Sequence, residues 1–222
     1  MPSSFKKNPR NTVRRLPSRG AYDRETIYSI LDAAFLCHVG FSVDGQPFVI
    51  PTAYGREGDK LFFHGSVKSR MMLELSAQIP VCITVTLMDG LVLARSAFHH
   101  SMNYRSAVLF GQAREILDLE EKNRALFCIS EQILPGRWAE VRGPNPNELA
   151  ATSVMEITIE EASAKIRTGG PKDDQEDYAL PIWAGVLPVQ PIYQVPETDP
   201  LMKENLDVSP SVLEALARQD HP

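Results

Sequence analysis

The chain has 222 residues, 43% apolar and 23% charged, enough for one sizeable core rather than several. Its formal charge of −5, from 23 Lys+Arg against 28 Asp+Glu, gives no reason to expect a nucleic-acid partner. No stretch approaches the roughly 18 consecutive apolar residues that cross a bilayer, so no membrane association is expected. Cys37, Cys82 and Cys128 are odd in number and lack C-x-x-C spacing, which reads as free thiols in a reducing, cytoplasmic setting. The amino terminus is basic but lacks the apolar segment of a secretory signal.

Taken in order, residues 1–20 hold Lys6, Lys7, Arg10, Arg14, Arg15 and Arg19 without apolar periodicity, and read as a flexible basic arm. Asp23 is placed to cap a helix carrying Ile27, Ile30, Leu31 and Ala34. Strands over about 35–42 and 47–54 flank the turn signal Asp44-Gly45, and Gly58-Asp59 leads into KLFFH. SVKSRMMLELSAQ reads as a helix capped by Ser66. VCITVTLMDGLVLARSAF reads as two strands joined by Asp89-Gly90, and AVLFGQARE as a sixth. A helix over Leu117–Ile133, a Pro/Gly/Asn-rich loop, a strand from VMEITIEEASAKIRT and a short terminal helix in VSPSVLEALARQ complete the chain. Six strands joined mostly by hairpins predict a mainly β fold, a six-stranded antiparallel split β-barrel with peripheral helices. The expected division is an arm at 1–20, one domain over 21–190 and an extension over 191–222.

FFHGSVKSR, residues 62–70, carries the chemistry. A strand running through glycine into a helix turns the amides of Val67 to Ser69 outward at the positive end of the helix dipole. Ser66 and Ser69 add hydroxyls, Lys68 and Arg70 add charge, and an arginine fork holds two phosphate oxygens at once. Gly65 permits either close approach or a positive φ. The alternative is an ordinary capped, solvated helix start, with His64 either facing a ligand or satisfying a backbone group. Metal sites fare worse. His99 and His100 are adjacent and point to opposite faces of a strand, and Asp173, Asp174, Glu176 and Asp177 read as a solvated loop.

Three pieces, HVGFSVDGQPFVIPTAYGREGDKLFFHGSVKSR, VCITVTLMDGLVLARSAFHHSMNYRSAVLFGQAREI and AKIRTGGPKDDQEDYALPIWAGVLPV, resemble the pyridoxamine 5'-phosphate oxidase-like FMN-binding split-barrel superfamily, in its nitroimidazole-reductase-like branch. The resemblance implies that Ser69 and Arg70 hold the phosphate of FMN, with His64, Ser66 and Lys68 beside them. It implies that Thr52 and Tyr54 lie along the flavin ring, that Arg105 and Ser106 approach the cofactor, and that Trp183 packs on flavin or substrate or plugs the rim. Trp138 has the same ambiguity, and Arg95 reads equally as a structural ion pair. A homodimer with FMN in each interfacial cleft is implied too. His-Gly-Ser stands where the oxidases of vitamin B6 have Tyr-Thr-Asn, and their terminal Arg/Pro pattern is missing, so that substrate is not expected. The reading is an FMN-dependent oxidoreductase reducing a nitroaromatic or quinone with NAD(P)H. It has no assigned catalytic side chain, and His64 is the one candidate proton donor. Its alternatives are a flavin carrier or sensor, and a haem-binding relative with His99 or His100 as axial ligand.

Overall fold

The computed structural model describes residues 2–203 and 206–219. Met1 of the expected arm, and residues 204–205 and 220–222 of the expected extension, lie outside them. Nine strands form one sheet: β1 (Gly20–Ala21), β2 (Leu36–Val43), β3 (Gln46–Glu57), β4 (Lys60–Ser66), β5 (Pro80–Leu93), β6 (Ser101–Glu115), β7 (Thr152–Thr158), β8 (Glu161–Arg167) and β9 (Gly185–Pro188). Among the described residues five α-helices accompany them: α1 (Arg24–Asp32), α2 (Arg70–Leu75), α3 (Leu119–Ile133), α4 (Pro146–Ala151) and α5 (Pro210–Gln219). The strand order is β1-β8-β6-β7-β4-β3-β2-β5-β9, and β6 also pairs with β5.

This corrects the expected six-stranded split β-barrel. Six strands follow one another round a ring, but three others extend the sheet outside it, and the fold is mixed α/β. The reason lies in one edge of β6, which pairs with β8 over Tyr104–Phe110 and has only Ala113–Glu115 left for β7. Three residue pairs join the ring there. Helices are more than peripheral: β4 buries Leu61 and Phe63 in the main core and Phe62 in a second cluster with Ile116, Ala125, Ile129 and Val154. Strands so covered on both faces lose the alternation of apolar and polar residues that a half-exposed sheet shows.

Local chemistry explains most turns. Asp44 (φ 50°) and Gly45 (φ 79°) form the two-residue hairpin between β2 and β3, both with the positive φ of a type I′ turn. The Asp23 carboxylate accepts from the Thr26 amide and caps α1. Asp89-Gly90, however, joins no hairpin. β5 runs straight through it, the register with β6 shifts between Met88 and Gly90, and the extra residue makes a bulge. The segment expected as one strand at 154–168 breaks at Ile159-Glu160 into β7 and β8. The arginine-rich segment lies on the body: Phe5 is buried, Arg10 pairs with Glu161 at 2.8 Å, and Ser4 bridges Asp23.

The end of α1 ties three elements together. The carbonyl of Leu31 accepts from the Tyr54 hydroxyl of β3 at 2.6 Å and from Gln132 Nε2 of α3 at 3.1 Å, and Gln132 also donates to Ala34 at 2.7 Å. Gly55 lets α3 approach β3, since a Cβ there would sit 2.6 Å from the Cys128 backbone. Backbone gives way less readily than a side-chain tip, so Gly55→Ala is expected to cost about 2–3 kcal/mol of stability by overpacking, read from the midpoint of urea unfolding. An unchanged midpoint would show that α3 does not rest on β3 as described.

Candidate functional site

The corner where β4 meets α2 differs from its sequence expectation in detail. α2 starts at Arg70, with Ser69 rather than Ser66 as its N-cap residue. The amides expected to face an anion are in use: Val67 donates to Ala151 O at 3.1 Å, Ser69 to Ser66 O at 2.8 Å, and Lys68 to Ser66 Oγ at 3.2 Å. The helix ladder opens with Leu73 donating to Ser69 O at 3.0 Å, which leaves the amides of Arg70, Met71 and Met72 ahead of the first rung. Gly65 serves packing and not a positive φ. A Cβ there would meet Met72 Cε at 2.7 Å, so the glycine lets α2 lie flat on β4 with Met71, Met72 and Leu75 buried beneath.

Charge at this corner is uncommitted. Lys68 and Arg70 are exposed, and neither enters an ion pair among the described residues. The Arg70 guanidinium lies 5.1 Å from the centroid of Phe48, which stacks on Phe41 at 5.5 Å. That stack pre-positions the cation from β2 and β3 while leaving its N–H groups available. His64 is exposed and its side chain makes no hydrogen bond to the described residues, yet desolvation by the surrounding protein pushes its pKa below the ordinary histidine value.

The other expected site residues separate from this group. Thr52, half-buried, lies on the neighbouring strand β3. Tyr54 is in the core with its hydroxyl spent on Leu31, so it presents no face to a ligand at the surface. Arg105 and Ser106 are on β6, opposite β3 in the ring. Arg105 Nη2 lies 2.8 Å from Asp89, whose hydrogen bonds raise the guanidinium above its ordinary pKa, and Ser106 donates to Lys165 O at 3.2 Å. Trp183 is 68% exposed and lies against Gly185, where a Cβ would meet its ring at 3.0 Å. Arg95 is the structural ion pair, 3.0 Å from Asp173.

Of the two histidines weighed as metal ligands, His100 Nδ1 accepts from the Ala94 amide at 3.0 Å, and His99 Nε2 faces Asp174 at 3.3 Å. Sequence reading missed Phe48 and Ala151, and nothing local marks either one. A cavity of about 330 Å³ between β3 and α3 is a different place. Its charges are already paired, Arg56 with Asp32 at 2.6 Å and Arg124 with Glu57 at 2.9 Å. No group of three or more His, Cys, Asp or Glu among the described residues is arranged to hold a metal, and no described helix is long and apolar enough to cross a membrane.

Comparison with known proteins gives this corner its context. A profile of the family described as pyridoxamine 5'-phosphate oxidase matches residues 23–166. The chain belongs to that family, and so to a superfamily of flavin-binding proteins of oxidoreductase type. Among solved structures, the flavocytochrome Anf3 from Azotobacter vinelandii is 42% identical, with TM-score 0.86 over 93% of this chain and 96% of that one. The FAD and haem binding protein from Mycobacterium smegmatis is 37% identical, with TM-score 0.85 over 89% and 97%. A putative 5-nitroimidazole antibiotic resistance protein from Bacteroides thetaiotaomicron is 27% identical, with TM-score 0.57 over 66% and 86%. No curated protein matches.

A histidine whose folded pKa is depressed favours its neutral form in the fold. The unfolded chain then binds more protons, and stability declines as pH falls from the ordinary value of 6.5 towards the folded one. Thermal unfolding between pH 7.5 and 5.5 should therefore show wild type losing more stability than His64→Gln. Equal losses in the two proteins would mean that the imidazole is not desolvated.

Proposed function

We propose that this chain is a flavin-dependent electron-transfer protein that holds the flavin phosphate at the β4–α2 corner and carries haem as a second redox group. The observation that carries the reading is the pair of uncommitted cations there, Lys68 and Arg70, in a family that binds flavin. Arg70 supplies a fork matched to two phosphate oxygens, Lys68 a point charge, and Ser66 and Ser69 hydroxyl donors. Two relatives similar over nearly their whole length are named for a flavin together with a haem or cytochrome, which favours FAD over the FMN expected from sequence.

The haem has a fitting ligand. His99 and His100 are engaged, and with His100 Nδ1 accepting a hydrogen bond the proton of its neutral ring sits on Nε2. His64 makes no side-chain hydrogen bond among the described residues, burial favours its neutral form, and it stands next to the corner, so it would be the residue to hold the haem iron. Flavin supplies hydride and single-electron chemistry when bound. The chain's own part is to fix the phosphate, present the imidazole and govern what reaches the ring.

A second copy of the chain completes this site in our reading. Arg105 and Ser106 stand across the ring from Thr52, so one chain alone does not bring them to the corner. The outer faces of β2, β3 and β5 expose Leu36 (50%), Val49 (64%) and Met88 (44%), an apolar surface suited to a partner. The nitroimidazole-resistance relative supports a second reading, in which the same flavin passes electrons from NAD(P)H to a nitroaromatic or quinone.

Visible spectra of the purified protein, before and after adding FAD, FMN or haemin, test the assignment. Flavin bands and a Soret band are expected, with bleaching of the flavin on anaerobic NAD(P)H supporting the reductase reading. Arg70→Ala should weaken flavin binding about 10- to 100-fold, the loss of one charge-assisted phosphate contact. His64→Ala should remove or shift the Soret band and leave flavin binding intact. A protein that takes up neither group sinks the proposal.

A further inference from the structure

Arg167 ends β8 and is buried, 6% exposed. Its guanidinium donates to Asn103 Oδ1, to Gly169 O at 3.2 Å and to Gly170 O at 3.2 Å. All three acceptors are neutral, and no ion pair reaches Arg167 among the described residues. A buried charge is normally matched by an opposite one, because desolvation is costly and neutral dipoles repay only part of it. Here the neighbouring charge has the wrong sign. Desolvation and the Arg19 cation together hold the Arg167 pKa below its ordinary value.

The backbone places that second cation deliberately close. β1 pairs with β8 through Gly20↔Lys165 and Ala21↔Ala164, so Arg19, the last residue of the 3-10 turn Pro17–Arg19, stands beside the end of β8. It is half-buried and forms no ion pair among the described residues. On the far side, Gly169 (φ +92°) and Gly170 have open space where a side chain would stand. Two cations, one of them buried, thus stand together at the end of β8, where a side-chain-free stretch of loop begins, and no ion pair among the described residues joins either to a carboxylate. Three carbonyl acceptors would hold a neutral donor equally well; they do not account for the charge, nor for a second cation set against it.

We propose that Arg167 and Arg19 form an oxyanion site beside the Gly169-Gly170 loop, taking a phosphate or carboxylate group that supplies the missing countercharge. The site is separate from the β4–α2 corner in the sheet: β8 adjoins β6 and β1, not β4. Its anion comes either from free solute or, across the two-copy site of the flavin reading above on which this source rests, from the pyrophosphate of a dinucleotide bound at the other copy's corner.

Thermal unfolding of the protein as purified, and again saturated with FAD, is to be followed with inorganic phosphate, pyrophosphate or chloride at matched ionic strength. FAD affinity is to be measured by titration in parallel. In an Arg70→Ala background, which removes the corner's own response, the protein should be stabilised by phosphate or pyrophosphate beyond chloride, Arg19→Gln should weaken that effect at least about fivefold, and Arg167→Gln should abolish it. Arg167→Lys should retain part of it. Stabilisation that persists in the FAD-saturated protein identifies a free oxyanion. Stabilisation that FAD removes, with weaker FAD binding in Arg19→Gln, identifies the cofactor's own pyrophosphate. Arg19 is at the surface of the fold, so its variant keeps the test valid even where Arg167→Gln does not fold. The proposal is overturned when neither oxyanion stabilisation nor FAD affinity responds to Arg19→Gln and Arg167→Lys. Failure to bind either FAD or FMN with a retained phosphate response would overturn the flavin reading alone.

Discussion

The fold depends on how β6 divides its hydrogen bonds. One edge is paired with β5 along nearly its whole length, while the other is shared between β8 and, at the last three residues, β7. Because each backbone edge can be used only once, giving seven residues to β8 leaves the six-strand ring joined over a short span. The same division brings β8, and with it β1 and the amino-terminal segment, onto the sheet. It also separates Arg105 and Ser106 from the β4–α2 corner, which is why one chain holds the expected cofactor contacts in two places.

Electrostatics sorts the cations of this protein into two kinds. Arg56, Arg95, Arg105 and Arg142 each lie against a carboxylate that fixes their orientation. Lys68, Arg70, Arg19 and Arg167 do not. Exposed ion pairs contribute little to stability, so pairing alone says little about what holds the fold together. Its absence is more informative where a cation is buried or held on an aromatic ring, since position is then maintained without a partner inside the chain.

Much of this was legible in the sequence. Asp44-Gly45 and Asp23 act through their own backbone and side chains, so their hairpin and cap follow from a few neighbouring residues. The strand–turn–helix of HGSVKSR was visible for the same reason, although which residue caps it depends on Ser66 turning back on Lys68 and on Val67 reaching Ala151. Asp89-Gly90 shows the limit. The dipeptide suits a type I′ turn, but β6 continues past it on one side and β9 pairs beyond it on the other, and long-range pairing overrides the local preference. Tyr54 was misplaced because alternation along β3 says which residues share a face but not which face is the core. Flavin binding rests on resemblance and family membership more than on any local pattern, since phosphate-like corners are common.

The carbonyl of Leu31 sits at the meeting point of α1, β3 and α3, bonded to both Tyr54 and Gln132. Both donors reach the last turn of α1 from other elements, so its opening is shared with β3 and α3. Slow amide hydrogen exchange in α1 and α3 should therefore be lost together, as a single cooperative opening, although the two helices are about a hundred residues apart in the chain.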